Sequence, residues 1–227
     1  MLDKLRILEI QFKNEIESYQ IPLFRGMVIN TLDSNNVLYH NHIDSGFRYS
    51  YPLIQYKRIN RCAAIVCLAQ GTDAIGEFFS RFDSKVILGD TPIDLQIQAI
   101  FPKMVLVQVW NDFFCYKISR WTPLNQENFQ KYTSIESEAE RYTFLENILV
   151  GNILSFAKGV GIRFDKKVIC RITELETPYP IDHKGIKMLA FNASFRCNVS
   201  IPEHIGIGKG ASVGHGTIHF QKPRNQD

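Results

Sequence analysis

The stretch YHNHIDSGFRYSYPLIQYKR, residues 39–58, brings together side chains able to move protons and to hold negative charge. His40 and His42 stand two apart, so in an extended segment both imidazoles project to one side. Histidine has an ordinary pKa of ~6.5 and can give or take a proton near neutral pH, so such a pair can serve as base and acid in one reaction. The same spacing offers two ligands to a metal. A complete site needs a third and a fourth, and no cysteine or glutamate nearby completes it. Two solvent-facing loop histidines with no shared task are the third reading.

Arg48, Lys57, Arg58 and Arg61 follow closely and supply cations for phosphates, while Tyr49, Tyr51 and Tyr56 supply stacking faces or a hydroxyl. On strands, such tyrosines also serve as ordinary packing. Histidines, cations and aromatics together favour RNA. Cleavage of RNA can use the substrate's own 2′-OH as nucleophile, which leaves the protein to provide a base, an acid and a cation.

A second candidate lies near the end of the chain. GIGKGASVGHGTIHF, residues 206–220, holds five of the fourteen glycines around Lys209. Glycine tolerates positive φ and lets backbone N–H groups approach an anion. A mononucleotide loop opens a helix, whereas this one runs into the strand-like stretch from Thr217 to Phe220, which argues against a site of that kind. The charge balance points the same way as the loop. The whole chain carries +3, and from Lys184 onward six basic residues face only Glu203 and Asp227.

The elements that must position these residues read as two similar halves. Leu8, Ile10 and Phe12 alternate with Glu9 and Gln11 as a half-buried strand, and Pro22 suits the first turn of a helix in IPLFRGMVINTL. YPLIQYKRI and AAIVCLAQ read as strands, TDAIGEFFSRF as a helix opening at Thr72 or Asp73, and LQIQAI as a further strand. After Phe101 and Pro102 the pattern restarts with KMVLVQVW and FFCYKISRW as strands. A long helix follows, with Thr133 and Glu136 spaced as a capping box; Leu145, Ile148, Leu149, Ile153 and Phe156 fall at helical spacing, and Gly159 and Gly161 mark its end. KVICRITEL and KMLAFNASFRCNV are strands; the second is expected to bury Leu189, Phe191, Ala193, Phe195, Cys197 and Val199.

The expected fold is α+β, two ferredoxin-like domains in tandem, over residues 1–100 and 101–227. With 227 residues, 45% of them apolar, the chain has ample material for a core. No apolar run approaches the ~18 residues of a membrane span, and the first six residues already carry charge, so a cytoplasmic protein without membrane contact is expected. The five scattered cysteines suggest buried, reduced thiols rather than disulfides or a metal knuckle.

LYHNHIDSGFRYSYPLIQYKRI, LVGNILSFAKGVGI, KMLAFNASFRCN and IGIGKGASVGHGTI, taken in order, resemble the CRISPR repeat-processing endoribonucleases, the b-type branch of the sixth Cas family. The resemblance implies tandem RAMP domains and cleavage within the repeat of a CRISPR precursor transcript, with no metal and no cofactor. It implies that His40 and His42 carry the acid and base work with Tyr49 beside them. It implies an RNA-facing surface that draws on Arg48, Lys57, Arg58 and Lys158 and on the loop residues Gly206, Gly208, Lys209, Gly210, Ser212, Gly214, His215 and Gly216. Val213 and His215 stand where family members often carry a basic residue and an aromatic, which leaves the role of His215 open between RNA contact, catalysis and simple replacement of a ring of similar size. CRISPR repeat RNA is the expected partner; homodimerisation and association with an effector complex stay open. The alternative is a noncatalytic RNA-binding RAMP subunit, which would not need both histidines.

Overall fold

The computed structural model describes residues 4–31, 42–43, 46–47, 51–183 and 185–222. The chain divides into two compact units, Met1–Leu106 together with Ser212–Gly214, and Val107–Ala211 together with His215–Asp227.

The first unit contains β1 (Lys4–Glu15), α1 (Ile21–Asn30), the two-residue strands β2 (His42–Ile43) and β3 (Gly46–Phe47), then β4 (Ile54–Ile59), β5 (Cys62–Leu68), α2 (Gly71–Ala74), α3 (Gly76–Ser80), β6 (Lys85–Leu88), β7 (Thr91–Asp94) and β8 (Ile97–Leu106). Its main sheet has the order β4-β5-β1-β8 with every neighbour antiparallel. Helical crossovers follow the first and third of these four strands, so the unit is ferredoxin-like. Pro22 sits in the first turn of α1, where its missing N–H costs no helical bond. α1 turns Ile21, Phe24, Met27 and Val28 inward, and the Phe24 ring meets Phe12 at 5.5 Å and Tyr56 at 5.9 Å, both edge-on. A fully buried phenylalanine contributes roughly 1.5–3 kcal/mol by leaving water.

Three expectations change in this unit. The second crossover is two short helices, opening at Gly71 rather than at Thr72 or Asp73. A Cβ at Gly71 would stand 2.5 Å from the Leu53 carbonyl oxygen, so the backbone approaches too closely for another residue. The hairpin of β6 and β7, absent from the sequence reading, follows. β8 runs unbroken through Phe101 and Pro102 and ends at Leu106, so KMVL closes the first unit instead of opening the second. It is an edge strand, and a proline whose missing N–H faces the open side interrupts no ladder.

The second unit contains β9 (Val109–Trp121), α4 (Gln126–Ser134), α5 (Glu138–Gly159), β10 (Cys170–Leu175), β11 (Tyr179–His183), β12 (Ile186–Val199) and β13 (Thr217–Gln221). The sheet order is β10-β12-β9-β13, with β11 also paired to β12, which repeats the topology of the first unit. Here the second crossover is not helical; residues 200–216, including the glycine-rich segment, fill its place. Helix α5 is capped by Ser137, which accepts from the Glu140 N–H, and Thr133 lies inside α4, so the capping box expected at Thr133 and Glu136 is displaced by one helix break. Leu145, Leu149, Ile153 and Phe156 are buried as their spacing requires, and Gly161 beyond the helix end has φ +78°.

On β12 the expected inward face is buried from Phe191 to Val199, with Leu189 only half-buried. Ser194 and Asn198 on the other face are buried too; Asn198 accepts from the Ile169 N–H and donates to the Lys167 carbonyl, and Ser194 donates to Glu174. Cys67, Cys170 and Cys197 are buried, while Cys62 and Cys115 are half-buried. Among the described residues, no helix is long and apolar enough to cross a membrane. The protein is α+β, with two ferredoxin-like folds in tandem.

Candidate functional site

The glycine-rich segment is held along most of its length. His204 N–H donates to the Ile218 carbonyl and Ile218 N–H to the Ile205 carbonyl, both at 2.8 Å, and Gly206 pairs with Thr217, so the segment begins as an extra strand on β13. Ile205 and Ile207 are fully buried. Gly208 follows with φ +82°, and a Cβ there would stand 2.8 Å from Asn152 Oδ1, the atom that accepts the Trp121 indole N–H at 2.8 Å. The Lys209 carbonyl accepts from Thr122 Oγ1 at 3.1 Å while its side chain is exposed. The bend closes where His215 N–H donates to the Gly210 carbonyl at 3.2 Å and Gly216 N–H to the Arg120 carbonyl at 3.1 Å. Residues 212–214 belong to the first unit: the Tyr56 N–H donates to the Ser212 carbonyl at 2.9 Å, and Val213 packs in that unit's core.

The predicted residues fall into three groups. Lys158, at the end of α5, and Lys209 present exposed side chains, and Gly208, Gly210 and Ser212 are half-buried. Gly206, Gly214, His215 and Gly216 are buried within the loop. Lys57 is also fully buried, and desolvation pushes its amine down to about 7; as placed, it is not an exposed phosphate contact. Arg58 donates from Nε to the Ile16 carbonyl and lies 3.7 Å from Glu17, with part of its guanidinium open to solvent. Arg61 is exposed and paired with Glu15 at 3.1 Å.

His42 lies on β2, whose backbone pairs His42 with Phe47 on β3. His40, Arg48 and Tyr49 lie outside the described residues. Tyr56 is core, and Tyr51 accepts from the Gln55 side-chain amide at 2.9 Å.

Arg120 was not legible as a site residue. It holds φ +53° between a strand and the loop: its N–H donates to Asn192 Oδ1 on β12 at 2.9 Å and its carbonyl takes the Gly216 N–H. Its Nε is buried without a hydrogen bond among the described residues. A left-handed arginine at the end of a strand has no signature in a single sequence, because the backbone strain shows only once the loop is placed.

The Cas6b N-terminal domain family matches residues 3–105 and the Cas6b C-terminal domain family residues 108–221. The uncharacterized protein MJ0978 of Methanocaldococcus jannaschii is 35% identical over 101 residues, 44% of this chain and 67% of that protein. A crystal structure of Cas6b superposes with a TM-score of 0.88 at 27% identity, covering 96% of this chain and all of that one. A crystal structure of the CRISPR RNA processing endoribonuclease Cas6b gives 0.74 at 25% identity, with the same coverage. A RAMP protein described as binding different RNA substrates shares the fold, with a TM-score of 0.52 at 9% identity. With both domain families matched in order along nearly the whole length, the chain belongs to the Cas6b family of CRISPR RNA-processing proteins.

Proposed function

We propose that this protein is a metal-independent endoribonuclease that cuts CRISPR precursor RNA within the repeat and releases guide RNAs. The observation that carries the reading is the match of both Cas6b domain families in a chain that keeps a His-x-His pair at His40 and His42. In this reading one of the two histidines takes the proton of the 2′-OH upstream of the cut, and the oxygen attacks the adjacent phosphorus. The other histidine gives a proton to the departing 5′-oxygen, with Tyr49 beside them. The products are a 2′,3′-cyclic phosphate and a 5′-hydroxyl. The segment of the first unit carries this chemistry, and Lys209, on the loop of the second, contacts RNA phosphate.

The test is single-turnover cleavage of labelled repeat RNA in EDTA, with the product ends mapped. Cleavage persists in EDTA and stops when the nucleotide upstream of the cut is 2′-deoxy. His40→Ala and His42→Ala each slow it by about 10²-fold or more, with RNA affinity retained. Loss of activity in EDTA, or cleavage of the deoxy substrate, overturns the mechanism in favour of a metal-activated water. Binding without cleavage by the wild-type chain overturns the enzyme reading in favour of a noncatalytic RNA-binding subunit.

A further inference from the structure

Glu203, His204 and His219 come together in the second unit, and each offers one ligand atom, all within 4.8 Å of one another. His204 Nε2 stands 3.8 Å from Glu203 Oε1, and the two imidazole rings lie 5.9 Å apart at 70°. Their backbones are pinned to each other's neighbourhood by the bonds from His204 N–H to Ile218 and from Ile218 N–H to Ile205. His204 also holds φ +66°, a conformation that costs a non-glycine residue free energy. Most residues at that bend pay this cost, and asparagine or glycine pays less.

We infer that Glu203, His204 and His219 form a binding site for one Zn²⁺ ion, which fastens the start of the glycine-rich loop to β13. Two imidazoles and one carboxylate suit a borderline ion of the Zn²⁺ class, and three protein ligands leave a fourth position for water. One carboxylate among imidazoles is too poor in oxygen for Mg²⁺ or Ca²⁺. Tetrahedral zinc with bonds of about 2.0–2.1 Å sets its ligand atoms roughly 3.3 Å apart. The required closure is up to about 1.5 Å, within the swing of the Glu203 side chain, which is 48% exposed, and of the imidazole χ2 angles. Lys117 lies opposite His219 in the β9–β13 ladder, and its charge is engaged by Glu176 at 2.7 Å. Zinc binds neutral imidazole, so protons compete with the ion for these ligands. The ion supplies a clip and takes no part in RNA cleavage.

The experiment is calorimetric titration of the full, EDTA-stripped chain with Zn²⁺ and no RNA present, alongside thermal melts. The wild type should take up one ion per chain and melt at higher temperature with Zn²⁺. In His204→Asn/His219→Gln the affinity should drop on the order of 100-fold and the thermal shift should vanish; asparagine is chosen because it tolerates the left-handed backbone. His40→Ala/His42→Ala should bind Zn²⁺ as the wild type does, since that histidine pair is the competing site in the sequence. Should the double variant at 204 and 219 fold poorly by circular dichroism, Glu203→Gln, at an exposed position, should still weaken binding by about tenfold. The inference is overturned by the absence of saturable binding up to ~100 μM Zn²⁺, by unchanged affinity in the 204/219 variant, by unchanged affinity in a folded Glu203→Gln, or by loss of binding in the 40/42 variant.

Discussion

Replacing Gly216 by alanine tests whether the glycine-rich segment is held as tightly as its bonds imply. Gly216 has φ +58°, and a Cβ there would overlap the Ile207 carbonyl. The obstacle is backbone, so no rotamer change relieves it. Left-handed φ costs an alanine roughly 1–2 kcal/mol. Moving the strands apart gives up the bonds from Ile207 N–H to Gly216 and from Gly216 N–H to Arg120, each with a net contribution of about 0.5–1.5 kcal/mol. The expected loss is therefore about 2–5 kcal/mol. At about 2–4 °C per kcal/mol for a chain of this size, melting should fall by roughly 4–20 °C. Urea denaturation and thermal melts followed by circular dichroism measure it. Gly26→Ala is the control, because a Cβ at Gly26 meets nothing within 4 Å and φ there is not positive. A loss below about 1 kcal/mol at Gly216, or an equal loss in both variants, would refute the reasoning.

Gly151 sits mid-helix on α5 with open space around it, so Gly151→Ala should stabilise the protein by about 1 kcal/mol; a lowered melting temperature would count against that placement. Lys209→Ala removes an exposed cation and keeps the carbonyl that Thr122 bonds, so melting should not change. RNA affinity should weaken across sequences, with log K less steep in log salt by about 0.7, and an unchanged slope would make the loop architecture alone. Burial lowers the Lys57 amine from 10.5 to about 7, so between those values the unfolded chain holds a proton that the folded chain has lost. Stability relative to Lys57→Met should therefore rise with pH across that window, at up to about 1.4 kcal/mol per pH unit, and parallel pH profiles in urea titrations would contradict a buried amine.

Periodicity was a reliable guide where one side of an element alone decides burial. Ile10 and Phe12 on β1, Phe191 to Val199 on the inward face of β12, and Leu145, Leu149, Ile153 and Phe156 on α5 are buried as their spacing demands, while Leu8, Ile148 and Leu189 at the margins of those faces are half-buried. It failed where a local signal had two meanings. Pro102 reads as a break, yet an edge strand accommodates it. Thr133 and Glu136 have capping-box spacing, but Asn125 and Ser137 cap the two helices, which are separated at Ile135 by an extended backbone, ψ 119°. Glu9 and Lys57 look like solvent-facing positions, but both are buried: Glu9 is 2% exposed and bound by Lys103 at 3.1 Å, and Lys57 is fully enclosed. As for the candidate site, residue types alone marked the histidine pair and the loop as chemistry. Which loop residues are framework and which are exposed depends on contacts with Trp121, Asn152 and Arg120, all more than 50 positions away from the glycines they hold.

The second unit fills the place of a helix with extended chain, and the substitution has a physical logic. In the first unit, Ile75 and Phe78 of the second crossover are buried. In the second unit Ile205 and Ile207 supply buried apolar groups from the corresponding connection, but an extended segment leaves most of its backbone groups to find partners outside itself. β13 and Arg120 take that role through the bonds at His204 and Gly216, and the Ile207 N–H closes the loop on the Gly216 carbonyl. The result is a loop whose backbone is already ordered. Gly208 and Gly210, both left-handed and packed against Asn152 and His215, flank Lys209 and hold its Cα between fixed points. For the RNA contact proposed above, this arrangement avoids most of the ordering cost that a mobile loop would incur on binding, about 1–2 kcal/mol for each residue fixed. Gly208→Ala should then weaken RNA binding even with Lys209 intact, because it loosens the platform and leaves the charge. Measured beside Lys209→Ala, it should lower affinity without changing the salt slope. A reduced slope in Gly208→Ala would mean that the glycine's own N–H meets a phosphate, and full wild-type affinity would mean that the platform contributes nothing.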